Sequence, residues 1–243
     1  MIRKIIMNKI LKLSAVALLA SCTSLMAQSK NFSGASLGIS LSTVGVEVSG
    51  SGNSNANQSG TGTTANINSG SIGKVTEIAA IDLSYGLELG SNSLFVLGAS
   101  YTPGKAKAGT GTYTDNNSDT VTNTNGSSTT GSVNLQVKDP YTIYVAPTYV
   151  VSKDSALYAK VGYSKADIDL SATGSAALTS KPSKLEGWTY AIGSKILLTN
   201  NAYVAVEASI TDYDSITATR ATGVNITADP KVAQGTVTLG YKF

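Results

Sequence analysis

The chain has 243 residues, of which 14% are charged, 42% are hydrophobic and none is histidine, a length that suits one all-β domain better than two. Four of its 18 Lys and Arg residues precede position 28, in a segment without Asp or Glu, so the remainder carries 14 cations against 15 anions. That balance leaves no basic footprint for nucleic acid, and so little charge beside so much Val, Ile and Tyr excludes an extended disordered chain.

The N-terminus reads as a secretory signal. Arg3, Lys4, Lys9 and Lys12 make a basic start, Leu13 to Ala20 an apolar core, and Ser21 to Ala27 a small-residue exit. Cleavage after Ala27 assigns residues 1–27 to the leader and 28–243 to the mature domain. The apolar core falls short of the roughly 20 residues that a spanning helix needs. Cys22, the sole cysteine, ends Leu19-Ala20-Ser21-Cys22, which is similar to a lipoprotein lipobox. It is either lipidated or discarded with the leader, and neither fate permits a disulfide within the mature monomer.

No later segment is apolar enough for a transmembrane helix, so a membrane could be crossed only by a closed barrel, which satisfies its backbone polar groups internally. Strands are expected in chain order, the first at Phe32 to Val48. In Ile78 to Leu89, Ala79, Ile81, Leu83, Tyr85, Leu87 and Leu89 alternate with Ala80, Asp82, Ser84, Gly86 and Glu88. Gly90 to Ser93 turns the chain into Leu94 to Thr102, with Phe95, Leu97, Ala99 and Tyr101 outward. Asp139 to Asp169 is a hairpin about Ser152 to Ser155, in which Pro147 removes a ladder donor and calls for a bulge. Glu186 to Thr211 is a third hairpin about Thr199 to Asn201, and the last strand ends at Phe243. Four longer polar stretches, Ser49 to Gly73, Gly109 to Gly131, Ser171 to Lys184 and Thr217 to Asp229, alternate with the tight turns. Two of them hold low-complexity Gly, Ser, Thr and Asn runs, Ser49 to Thr64 and Thr112 to Thr130, expected to stay mobile. The count predicts an all-β, eight-stranded antiparallel up-and-down transmembrane β-barrel, with short periplasmic turns and long external loops.

Three stretches, Ala156 to Lys165, Gly187 to Gly193 and Glu207 to Ser215, resemble the small outer-membrane protein β-barrel family, which includes the OmpA transmembrane domain, OmpX and the opacity proteins. The ending Gly235 to Phe243 is similar to the C-terminal signal read by the β-barrel assembly machinery, with Val237, Leu239, Tyr241 and Phe243 as its alternating apolar positions. The peptidoglycan-binding domain of full OmpA proteins is expected to be absent. The resemblance implies a cell outer-membrane location in a Gram-negative envelope.

The chemistry of the chain argues against an enzyme. Barrel deacylases and proteases depend on a histidine, the usual general base near neutral pH, and this chain has none. Asp212 with Asp214, and Asp167 with Asp169, read as solvated strand ends rather than catalytic or metal sites, and Lys74 after Gly73 lacks a phosphate-loop pattern. No metal site or cofactor is expected. The strand phases aim Asp82, Glu88, Lys160, Lys195, Glu207 and Lys242 inward, since a basic residue at the lipid midplane costs about 2–4 kcal/mol. They form either a salt-bridged plug, because eight strands enclose little more than side-chain volume, or the lining of a narrow pore. Outward Tyr, Trp and Phe fit interfacial girdles. The expected role is structural or adhesin-like through the external loops, with a small-solute porin as the alternative. A monomer is expected, in contact with outer-membrane lipid and the assembly machinery, with the loops open to an extracellular partner.

Overall fold

The computed structural model describes residues 29–53, 67–115, 129–173, 178–220 and 225–243; the leader and Cys22 lie outside them. Among the described residues a short 3-10 turn, Ser29–Phe32, precedes eleven strands: β1 (Gly34–Asn53), β2 (Ile67–Gly90), β3 (Ser93–Tyr101), β4 (Lys105–Asp115), β5 (Thr129–Ser152), β6 (Ser155–Thr173), β7 (Leu178–Ser180), β8 (Lys184–Leu197), β9 (Ala202–Tyr213), β10 (Ile216–Arg220) and β11 (Asn225–Lys242). Eight of these, β1-β2-β3-β5-β6-β8-β9-β11, follow one another in antiparallel pairs, and β11 pairs β1 to close the ring. Closure leaves the ring no edge to pair with a neighbour.

The register fixes the ring's shape. Paired residues run from Leu37 through Leu83, Ala99, Ile143, Tyr163, Trp188, Asp212 and Lys231 back to β1 at Glu47. One circuit therefore climbs from position 37 to position 47 of the same strand. With about 3.3 Å per residue and about 4.7 Å between strands, that stagger tilts the strands by about 41° and gives a backbone radius of about 8 Å. Side chains fill most of such a lumen.

The alternation predicted from sequence sorts the faces. Leu37, Ile39, Leu41, Leu83, Ile143, Ile192 and Leu239 are exposed on the outside, whereas Ser36, Ser40, Ser84, Ser164 and Thr189 are buried inside. Trp188 and Leu198, both exposed, bracket the band along one strand path. Ten residues at that tilt rise about 25 Å, the height of an outer-membrane barrel's lipid belt. Above it the outer face turns ionic, with Lys165 against Glu186 at 3.0 Å and Lys231 against Asp212 at 3.3 Å.

Two expectations need correction. Much of the polar stretches assigned to loops is strand: β1, β2, β5, β6 and β11 continue past the lipid band, and β4, β7 and β10 add to them. Backbone pairing needs no apolar side chain, and an apolar cluster of Leu135, Ala166, Ile168, Leu170, Leu185 and Ala218 gives these extensions their own core. The remaining loop segments, and with them the expectation of mobility, lie outside the described residues. Pro147 forms no bulge. Val145 pairs Val161 and Thr148 pairs Tyr158 in one unbroken register, so the missing donor falls where the β5–β6 ladder merely lapses. The β5–β6 register shifts instead between Lys138 and Tyr141, where Asp139 takes a φ of 46°, and between Val150 and Ser152.

Candidate functional site

The lumen is built in layers. At the end that carries the tight turns, the turn before β1 crosses the mouth: the Ser29 amide donates to the Ser91 carbonyl at 2.8 Å, Ser29 Oγ to the Gly90 carbonyl at 2.6 Å, and Asn31 Nδ2 to the Lys153 carbonyl at 2.9 Å. Tied to two different turns, it holds Phe32 inside the barrel. There Phe32 packs with Leu94, Val150, Ala156, Leu197, Tyr203 and Ala205. Sequence reasoning took Phe32 for a strand residue. Only the register of the turns reveals the stopper.

Above this apolar floor lies a belt of charge and phenol. Lys160 Nζ sits 2.6 Å from a carboxylate oxygen of Glu207, and Tyr158 donates to the same oxygen at 3.0 Å. Tyr144 donates to Asp82, with its hydroxyl 2.9 and 3.0 Å from the two carboxylate oxygens. Lys160 lies 4.2 Å from the Tyr144 ring centre, and Lys195 lies 4.2 Å from that of Tyr203, both within the range of cation–π attraction. Two acids and two lysines thus balance inside the ring.

The tyrosines fit because glycine faces them. Tyr144 pairs Gly98 and Gly162, Tyr158 pairs Gly193, and Tyr203 pairs Gly240. A Cβ at Gly98, Gly193 or Gly240 would fall against the facing ring. A third layer is hydroxyl. Thr142, Ser164, Thr189 and Thr211 bond in sequence across four neighbouring strands, while Ser40 meets Thr238 at 2.8 Å and Ser42 meets Thr236 at 2.9 Å.

Of the six charges aimed inward by phase, Asp82, Lys160, Lys195 and Glu207 meet in the belt. Lys242 stands apart near the tight-turn end, half-buried, its ammonium donating to the Ser33 carbonyl at 3.3 Å. Glu88 is a correction: it is exposed at the rim, because the row ends where the register slips between Glu88 and Gly90. Val237, Leu239, Tyr241 and Phe243 are all exposed on the outer face. Asp212 is paired with Lys231, and Asp169 with Lys138 at 3.0 Å, whose ammonium holds the Asp169 carboxyl below its ordinary range. No group of His, Cys, Asp or Glu side chains that could hold a metal occurs among the described residues.

The hydroxyls and the belt bound a cavity of about 370 Å³. The profile of the outer membrane protein beta-barrel domain matches residues 14–243. The chain belongs to that family. Solved structures of similar fold include Ail, the attachment invasion locus protein of Yersinia pestis, in complex with the heparin analogue sucrose octasulfate; it is 12% identical over 87% of this chain and 99% of its own, with a TM-score of 0.42. OprG from Pseudomonas aeruginosa is 12% identical over 87% and 97%, with a TM-score of 0.45. The outer membrane protease OmpT from Escherichia coli is 12% identical over 86% and 97%, also at 0.45. No curated relative matches the chain.

Proposed function

We propose that this family member is a closed outer-membrane barrel with a non-enzymatic, structural or surface-interaction role, exercised by the strands and loops that rise above the lipid band. The observation that carries the reading is the apolar floor of the lumen, Phe32, Leu94 and Val150 clustered across one end, below the Lys160–Glu207 belt. A porin needs a wet axial path; the cavity passes the belt and ends on Phe32 and Leu94, which line it, so on this reading the apolar floor is what closes the axis. The lumen carboxylates hydrogen-bond to tyrosines, and the chain has no histidine to serve as a base.

On this reading a leader ending at Ala27 directs export, and Val237, Leu239, Tyr241 and Phe243 engage the assembly machinery as outward apolar positions. The mature protein acts as a monomer, without metal or cofactor, and any extracellular partner meets the external end. Single cysteines test the placement in intact cells. Asp229→Cys, on the external reach of β11, reacts with a membrane-impermeant maleimide, and Lys153→Cys, in a periplasmic turn, does not. Labelling of Lys153→Cys alone would invert the topology, and labelling of neither in folded protein would remove the surface role.

A further inference from the structure

The cavity is capped above as well as below. The cluster of Leu135, Ile168, Leu170, Leu185 and Ala218 draws on strands around the external end, just as Phe32 and Leu94 close the periplasmic end. A third route leads through the wall. The β2–β3 ladder ends at Ile81 paired with Tyr101. Beyond it the chain bends at Gly104, with a φ of 103°, opposite Asp139. The Gly104 amide donates to Asp139 Oδ1 at 2.9 Å and the Asp139 amide to the Gly104 carbonyl at 2.9 Å. Those bonds lay β4 along β5. From Ala80 upward β2 pairs only β1 among the described residues, so β2 and β4 run side by side without backbone pairing, leaving a seam between them.

The cavity reaches that seam. Every residue from Thr76 to Ala80 lines it, although Glu77 and Ala79 belong to the outward row. Side chains alternate across a strand, so consecutive residues can border one cavity only along the strand's edge. The opposite lip is Thr102 to Lys105. Exposed Tyr101 and Tyr141 flank the opening on the outer surface, where aromatic side chains mark the lipid boundary.

We propose that the seam admits a small neutral molecule of mixed polarity, such as a medium-chain alcohol or a phenol, from the lipid boundary into the cavity. Val44, Leu135 and Val232 offer apolar wall, and Ser42, Thr142 and Gln234 offer hydrogen bonds. The belt's two acids and two lysines sum to no net charge, which favours a neutral guest. The volume falls within the range of small-ligand pockets. This goes beyond the surface role and stands without it.

Labelling of a single cysteine tests the route. In the mature chain, Ser100→Cys lines the cavity below the seam. In phosphatidylcholine vesicles it reacts with neutral, lipid-soluble N-phenylmaleimide and resists a charged sulfonate thiosulfonate. Adding Ala80→Trp, at the lip, slows the neutral reagent about tenfold, and 1-octanol protects the cysteine. Ala159→Trp, on the lipid face, changes nothing, and Thr76→Trp repeats the test should Ala80→Trp not fold. Equal rates with both reagents, or indifference to both lip variants, would place entry on the barrel axis and overturn the proposal. So would failure of the neutral reagent to label folded protein.

Discussion

Lys160 and Glu207 meet at 2.6 Å inside the barrel, with side chains only 13% and 12% exposed. Both charges are largely withdrawn from bulk water, so each depends on the other. Glu207→Ala strands an ammonium and is expected to cost about 3–5 kcal/mol in urea unfolding from lipid vesicles, while the apolar pair Lys160→Met with Glu207→Leu recovers most of that loss. If the single variant were as stable as the parent, the belt would not be a closed ionic layer.

Phe32 fills a place that no ring strand supplies. Phe32→Ala is expected to lose about 3–5 kcal/mol, and Phe32→Leu less than about 1.5 kcal/mol. The same unfolding assay checks both, and an Ala variant of unchanged midpoint would put the turn outside the barrel.

Gly98 and Gly90 test the tyrosine fit as a pair. A Cβ at Gly98 falls on the Tyr144 ring, whereas one at Gly90 meets nothing within 4 Å. Gly98→Ala is expected to destabilise by about 1–3 kcal/mol, as overpacking does. Gly90→Ala should leave the midpoint where it was, and equal effects would deny the ring its place.

The lipid band predicts a contrast between two outward positions. Leu83→Arg places a cation among apolar side chains near mid-height and should cost about 2–4 kcal/mol. Asp169→Asn removes a charge from the solvated ionic zone, where Lys138 already faces water, and should leave stability unchanged. Because the Asp169 carboxyl is held below its ordinary range, the pair persists at neutral pH and is lost only as pH falls through that lowered value.

The sequence carried the ring because alternation is local. Ile81, Leu83 and Tyr85 announce their face two residues at a time, and the turn at Gly90 to Ser93 announces the next strand. Asp82, Lys160, Lys195 and Glu207 were legible for the same reason. What depends on register was not. That Gly98 lies under Tyr144 and Gly240 under Tyr203 follows from strand pairing, and Phe32 becomes a stopper only when turns far along the chain hold it. The extensions were misread because a strand in water needs no apolar row, so Lys105 to Asp115 looks like loop. The seam at Gly104 arises from a bond to Asp139, which no periodicity encodes.

The central claim is that the lumen is closed along its axis, and liposome swelling tests it most directly. Vesicles carrying the refolded mature chain, Gln28 to Phe243, are diluted into a small sugar, and flotation confirms insertion. The account predicts swelling no faster than in protein-free vesicles, and faster swelling once Phe32→Ala, Lys160→Ala and Tyr203→Ala are combined. Rapid swelling with the unaltered chain would contradict it and make Asp82, Lys160, Lys195 and Glu207 the lining of a pore.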